Sequence, residues 1–169
     1  MKKLLVFAVV ILGFTAVSFG QQGSATLSTA SASAKIISPI TLTLVNNMVF
    51  GAIATSPAGG TVILGLDNSR IASGVTLGTN AGVQAAKFTV GGEGTAHYKV
   101  TLPADNSVTL ISGASGAKPM NLTAFIDSPD AGTLTAGTQD FSVAATLNIP
   151  AAQVAGDYTA TFPVTVTYE

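Results

Sequence analysis

Apolar and polar residues alternate with a period of two through most of the chain beyond residue 34. This period places successive side chains on opposite faces of an extended backbone, so it predicts β-strands with one buried face. The predicted strands span residues 35–45, 61–66, 75–77, 85–90, 97–102, 107–111, 120–126, 141–149 and 158–168. Because turn residues separate strands at short spacing, the pattern favours an antiparallel sandwich or barrel.

The last predicted strand has the clearest alternation. Six residues fall on one of its faces: Tyr158, Ala160, Phe162, Val164, Val166 and Tyr168. Threonines and Pro163 occupy the other face, and Pro163 lacks the N–H that a central strand needs, so an edge position is expected. One residue follows this strand, which predicts a sheet edge with nothing beside it. The alternative is that it closes a complete sandwich.

The N-terminus has the pattern of a secretory signal peptide. Lys2 and Lys3 precede an apolar run over residues 4–17, and small residues then stand three and one positions before a cleavage point after Gly20. A retained anchor is the alternative, although a membrane span needs about 20 apolar residues. The pattern predicts a signal peptide over 1–20, a flexible extension over 21–34 and one domain over 35–169.

The predicted extension is made of small polar residues with few apolar ones between them. Its apolar side chains fall in two registers, Ala25 and Leu27 in one and Ala30, Ala32, Ala34 and Ile36 in the other. Ile36 is also expected in the core of the domain, at the start of its first strand.

Charge is scarce, since 9% of the residues are Asp, Glu, Lys or Arg, against about a quarter in ordinary domains. Without Lys2 and Lys3 the chain has five basic and eight acidic residues, a net charge of 5 − 8 = −3. With no basic patch, nucleic acid is not an expected partner. No later stretch is long and apolar enough for a membrane span, and with no cysteine the domain must rely on its core or on association.

No group of residues forms a recognisable catalytic or metal site. The single histidine, His97, has no partner set for a triad, and is expected on a strand surface. Asp127, Asp130 and Asp140 lack the dense spacing of a calcium loop, so they indicate solvated turns. The Gly91–Gly94 stretch opens no helix and does not match a nucleotide-binding fingerprint. We therefore expect no enzyme activity, metal or cofactor.

Several short motifs carry a family resemblance over residues 35–169. They are IISPITL at 36–42, Phe50-Gly51, FTVGG at 88–92, AHYKVTL at 96–102, GTL at 132–134, GTQ at 137–139 and AGDYT at 155–159. On these motifs the chain resembles the secreted bacterial domains of unknown function 4402, which are related to the spore coat U and pilin-like proteins. That family has no settled role.

The terminal strand is also similar to the C-terminus of chaperone–usher pilus subunits. Those subunits end in an alternating strand with a penultimate Tyr and a Gly fourteen places from the end, which Tyr168 and Gly156 match. The resemblance implies an immunoglobulin-like, pilin-like antiparallel β-sandwich. It also implies that the terminal strand pairs with a periplasmic chaperone and later with a strand from another subunit.

The expected function is that of a non-enzymatic, secreted structural subunit of a fimbria-like or coat-like assembly, joined by β-strand addition. The partners would be copies of itself, other pilin-like subunits and a chaperone, in the periplasm or at the surface of a Gram-negative bacterium. The strand at 158–168 would accept, and residues 24–36 would donate. The alternative is a monomeric binding module for glycan or protein ligands, with a pocket at loops 91–95 and 113–119.

Overall fold

The computed structural model describes residues 28–54, 56–128 and 132–169. The chain divides into two compact units, Met1–Lys35 and Ile36–Glu169. Of the first unit, residues 28–35 are described, and they are exposed and form neither helix nor strand. The predicted signal peptide and residues 21–27 of the predicted extension lie outside the described residues.

The second unit is built from antiparallel β-strands, which confirms the all-β prediction. Its described residues contain no helix, and hence none that could cross a membrane. The strands are β1 (Thr41–Asn46), β2 (Ile53–Ala54), β3 (Gly60–Leu64), β4 (Arg70–Ser73), β5 (Thr76–Leu77), β6 (Ala86–Gly91), β7 (Tyr98–Thr101), β8 (Val108–Leu110), β9 (Met120–Asp127), β10 (Thr138–Ile149) and β11 (Thr165–Tyr168).

The long strand β10 organises the main sheet by pairing with three neighbours. Val143 is paired with Ala86 of β6 and with Asp127 of β9, so these two strands lie on opposite edges of β10. Further along, Thr146 is paired with β3 and β9 in the same way. One edge of β10 is therefore shared by β6 and then β3. The sheet is extended by β1 beside β6, by β4 beside β3 and by β8 beside β9.

Two smaller pairs complete the unit, β7 with β11 and β2 with β5. The alternate residues of β10 that face inward are all buried: Phe141, Val143, Ala145, Leu147 and Ile149. They belong to two apolar clusters, and Met48, Phe125 and Phe162 pack against both. The two clusters are thus joined through residues that are themselves only partly buried.

A β-bulge in β9 turns Phe125 toward the core. Thr123 and Ile126 oppose Thr146 and Ala144 of β10, so β9 carries one extra residue, and Ala124 has φ +49°. The Ala124 N–H donates to the Asp105 carboxylate at 2.7 Å. Because the extra residue reverses the alternation, Phe125 points inward, where its ring centroid lies 5.5 Å from that of Phe162.

The structure differs from the predicted strands at several places. The first strand begins at Thr41 and not at residue 35, and Ile36, expected in the core, is 96% exposed. Pro39 follows Ile36 closely and has no N–H for a ladder, which explains the late start. The short strands β2 and β4 were not predicted. The last strand, predicted over 158–168, is regular only in β11.

Candidate functional site

The terminal segment, defined here as residues 158–168, keeps one face toward the core. Its alternate residues Tyr158, Phe162, Val164, Val166 and Tyr168 are half-buried, and the residues between them are exposed. Ala160 is the exception on the inner face, because it is exposed and lines a cavity. The structure therefore brings together the acceptor residues expected from the sequence.

Along one edge, the terminal segment forms backbone hydrogen bonds near its beginning and near its end. Thr159 exchanges two backbone hydrogen bonds with Ile111, each 3.0 Å, and the Glu169 N–H donates to the His97 carbonyl at 3.2 Å. All four residues of β11 lie opposite β7, in the register set by the Glu169–His97 hydrogen bond, so the N–H and C=O groups of the odd-numbered residues point toward β7. Between these points Pro163 has no N–H to donate and Pro103 follows β7. The ladder therefore does not extend back from Thr165.

The other edge of the terminal segment is unpaired. In an extended chain, the N–H and C=O groups of successive residues point to opposite edges, so those of even-numbered residues point away from β7. These residues are Ala160, Phe162, Val164, Val166 and Tyr168. Across the described residues, none of their backbone groups has a backbone hydrogen bond on that side. This edge can pair with an added strand.

A groove runs along this unpaired edge, with β1 and residues 47–54 as its opposite wall. Its deeper part encloses about 430 Å³ and is lined mainly by apolar side chains. The lining residues are Leu44, Asn47, Met48, Phe50, Ala86, Phe88, Leu110, Leu122 and residues 158–162. Leu44 is 52% exposed at the rim, so core-like side chains here face solvent.

A wider cavity continues the groove past Tyr158 toward Gly156. It encloses about 1050 Å³ and shares Met48, Phe50 and Leu110 with the deeper part. At its end, a Cβ on Gly156 would lie 2.9 Å from the Ser112 hydroxyl, so the backbone approaches closely there. Neither cavity is lined by loops 91–95 or 113–119, where a ligand pocket had been expected.

The Tyr168 hydroxyl links the end of β11 to two other segments of the chain. It accepts a hydrogen bond from the Glu93 N–H at 2.7 Å and donates one to the Ser38 carbonyl at 2.8 Å. The Ser38 N–H in turn donates to the Glu93 carboxylate at 3.2 Å. A Cβ at position 92 would overlap the Tyr168 hydroxyl, so Gly92 leaves the space in which this hydroxyl lies. The terminal strand is thereby tied to the residues that precede β1.

We expect Tyr168→Phe to lower the free energy of unfolding by about 1–2 kcal/mol. The variant keeps the ring but leaves the Glu93 N–H and the Ser38 carbonyl without this partner. Chemical denaturation measures the change. Thr167→Ser, at an exposed neighbouring position, should change stability by less than about 0.5 kcal/mol. Equal stability of Tyr168→Phe and the original chain would show that the hydroxyl does not hold this end together.

Arg70 holds the far wall of the groove in place. Its Nη1 donates to the carbonyls of Phe50 and Ala52 at 2.6 and 3.1 Å, and its Nη2 donates to those of Gly78 and Thr79 at 3.1 and 3.3 Å. Because one guanidinium has several donors in a fixed plane, it can satisfy two loop segments at once. Lysine has no equivalent geometry.

Arg70→Ala should lower the free energy of unfolding by about 2–4 kcal/mol, since it leaves several loop carbonyls unpaired. Arg70→Lys keeps the charge and should recover less than half of this loss. Urea denaturation of the two variants gives the comparison. Full recovery by Lys would mean that charge, and not the directional hydrogen bonds, holds the wall.

The remaining polar candidates lie outside the groove. His97 is exposed and its Nδ1 lies 3.1 Å from the Thr133 hydroxyl, on the strand surface where it was expected. Asp127 lies in β9 and Asp140 in β10, so both are strand residues and not turn residues, while Asp130 is outside the described residues. Among the described residues no three potential ligands cluster as a metal site would require.

Asp140 forms an ion pair with Lys87 on the main sheet. Its carboxylate lies 2.8 Å from the Lys87 ammonium and accepts a bond from the Thr89 hydroxyl at 2.6 Å. Lys87, and then Thr89, hold the pKa of Asp140 below its usual value of 3.8. Because the folded pKa is depressed, this contribution to stability is present above pH 4 and is lost as pH falls through the folded value.

We therefore expect part of the acid sensitivity of this protein to disappear in Asp140→Asn. Urea unfolding at pH 7 and pH 3 should show a smaller loss of stability in this variant than in the original chain. Asp157→Asn, an exposed change outside the sheet, serves as the control. An unchanged pH dependence in Asp140→Asn would contradict the assignment.

The predicted donor segment is described only in part, from residue 28 onward. Ala25 and Leu27 lie outside the described residues, while Ala30, Ala32, Ala34 and Ile36 are exposed. The sequence did not indicate Leu44, Met48 or Arg70 as part of a site. Their contribution depends on which strands become neighbours, and the only local signal was the Phe50-Gly51 motif.

Comparison with known proteins identifies a family for this chain. No curated protein matches the sequence. A family model described as a domain of unknown function, DUF4402, matches residues 40–168, which include β1, the residues that line the groove and the whole terminal segment. The chain therefore belongs to the DUF4402 family.

Proposed function

We propose that this protein is an exported, non-enzymatic structural subunit of a surface assembly, joined to its neighbours by β-strand addition. The observation that carries the proposal is the unpaired edge of the terminal segment beside an apolar groove. An added strand would form backbone hydrogen bonds with this edge and place alternate side chains in the groove. Both halves of such recognition, the free polar edge and the apolar floor, are present at the same place.

The order of the strands supports a more specific fold. One layer consists of β1, β6, β10 and β9, and the other consists of β7 and β11. Apolar side chains of both layers pack together in the core clusters between them. We infer an immunoglobulin-like, pilin-like sandwich in which the position next to the terminal segment is vacant. Exposure of Leu44 and Ala160 is consistent with that vacancy, because a neighbouring strand would cover both.

The donor segment that we propose is residues 24–36 of another copy. In one register Leu27 is the bulky side chain that would enter the deep cavity, and in the other it is Ile36. The alanines at 30, 32 and 34 fit only shallow positions, so a single bulky anchor would supply most of the apolar contact. A chaperone strand that occupies the groove before assembly belongs to the same proposal, as does removal of residues 1–20 on export.

The test compares residues 21–169 with a chain that begins at Lys35, by light scattering. The first is expected to form ladders or filaments, and the second to remain a folded monomer because it has lost residues 24–34, the length of donor strand that pairs with the edge in either register. Leu27→Ser and Ile36→Ser in the longer chain identify which register is used. If both lengths are clean monomers, self-assembly through this segment is wrong, and the groove is better explained as a binding site for a different ligand.

A further inference from the structure

We infer that the strand added to one copy is residues 28–36 of a second copy, antiparallel to the terminal segment, with Ile36 in the deep cavity beside Ala160. The inference rests on the proposed function and deepens it, because it fixes which register is used and in which direction the added strand runs. Leu27 then lies beyond the paired residues and is not an anchor.

Polar and apolar side chains alternate strictly over residues 29–36. The even-numbered positions carry Ala30, Ala32, Ala34 and Ile36, and the odd-numbered ones carry Thr29, Ser31, Ser33 and Lys35. A strand in the even register therefore turns all four apolar side chains toward the groove and the polar ones away from it. In the odd register, the inward face after Leu27 would carry three hydroxyl residues, at positions 29, 31 and 33, which an apolar groove disfavours.

Ile36 is positioned to reach another molecule. It is 96% exposed, although its side chain is large and aliphatic. Two residues further on, Ser38 is fixed to its own domain, because its carbonyl accepts from the Tyr168 hydroxyl and its N–H donates to the Glu93 carboxylate. Ile36 therefore stands where the chain leaves its own domain, and residues 28–35 before it are exposed and outside any strand.

The fixed position of the chain after Ile36 also sets the direction of the added strand. With Ile36 beside Ala160, an antiparallel strand places residues 28–34 opposite residues 162–168 of the free edge. A parallel strand would instead need residues 38–44 there, and their own domain uses these in the contacts described above and in β1. Only the antiparallel direction therefore brings available residues to the free edge.

Side-chain sizes are complementary in this register. Directly opposite residues of an antiparallel pair share a face of the sheet, so their side chains are neighbours. The inward pairs are Ile36 with Ala160, Ala34 with Phe162, Ala32 with Val164 and Ala30 with Val166. Each pair joins a small side chain to a larger one. Residues 158–162 line the deep cavity and residues 164–168 line neither cavity, so the one bulky donor side chain falls where there is space.

The prolines of both segments are compatible with this pairing. The free edge presents the N–H and C=O groups of even-numbered residues, and in an antiparallel pair these bond to the residues directly opposite, here the even-numbered residues of the donor. Pro163 of the terminal segment and Pro39 of the donor chain are both odd-numbered. Every facing position therefore keeps its N–H.

The first test joins two copies through a disulfide, since the chain contains no cysteine of its own. Chains of residues 21–169 that carry either Ala32→Cys or Val164→Cys are unfolded, mixed, refolded together and oxidised. Opposite residues have Cα atoms about 5.5 Å apart, which a disulfide spans, whereas diagonal neighbours are about 7–8 Å apart. Ala32→Cys should therefore link to Val164→Cys at least about tenfold more than the matched controls Ala30→Cys and Ala34→Cys, which keep the same face.

The second test changes the bulk on both sides of the Ile36–Ala160 pair and measures association by light scattering. Ala160→Phe fills the deep cavity and should weaken association. In that background, Ile36→Ala should strengthen association about tenfold, because the phenyl ring then occupies the volume that the isoleucine no longer needs. Leu27→Ala in the same background is the matched control and should restore nothing. Circular dichroism checks the fold of each variant.

The outcomes separate this inference from the proposed function. Assemblies in which the three donor cysteines link equally, or in which a shifted one links best, would overturn the register and leave strand addition in place. Recovery with Leu27→Ala and not with Ile36→Ala would have the same meaning. If the original chain of residues 21–169 does not assemble at all, both the inference and the proposed function are wrong.

Discussion

Ala160→Phe is expected to weaken subunit association by about a hundredfold while leaving the fold intact. Ala160 is the one small residue on the inner face of the terminal segment, and its exposure shows that a larger side chain can be added without entering the packed core. A phenyl ring there would occupy the deep cavity that an incoming side chain must enter. The measurement is the mass distribution of the variant by light scattering.

Thr165→Phe is the matched control for this prediction. It adds the same ring to the terminal segment, but on the exposed face and outside both cavities. It should assemble like the original chain. If Ala160→Phe also assembles normally, the groove is not where subunits meet.

Phe162→Ala should lower the free energy of unfolding by about 2–4 kcal/mol. Phe162 packs against both apolar clusters and against Phe125, so its removal opens a gap between the two layers. The effect stays below that of a fully buried phenylalanine because the groove already exposes part of the ring. Urea denaturation provides the value.

Phe162→Leu tests whether packing volume is the cause. It retains most of the apolar contact and should cost about 1 kcal/mol or less. A Phe162→Ala variant as stable as the leucine variant would mean that the ring is not part of the core. The two layers would then have to be held together elsewhere.

The alternation of apolar residues predicted most of the fold because burial on one face is a local property of each strand. Phe141 to Ile149 and the terminal segment were both recognised in this way. The extent of the terminal strand was not predicted correctly, since a regular strand also needs a partner, and Pro163 and Pro103 prevent pairing before Thr165. The exposure of Ile36 follows from Pro39, which delays the start of β1.

The walls of the site could not be predicted, because they depend on contacts between distant residues. Nothing in the sequence near Arg70 shows that its guanidinium contacts the carbonyl of Phe50, which lies 20 residues away in sequence. The inward turn of Phe125 depends on a bulge at Ala124, a residue type that rarely adopts positive φ.

Amide hydrogen exchange along the terminal segment tests the central claim most directly. In the dissociated chain, the Thr165 and Thr167 amides should be protected by β7, while those of Phe162, Val164 and Val166 should exchange freely. In the assembled protein, the even-numbered amides should become protected as well, because an added strand accepts their hydrogen bonds. If assemblies form and these amides still exchange freely, subunits are joined through a different surface.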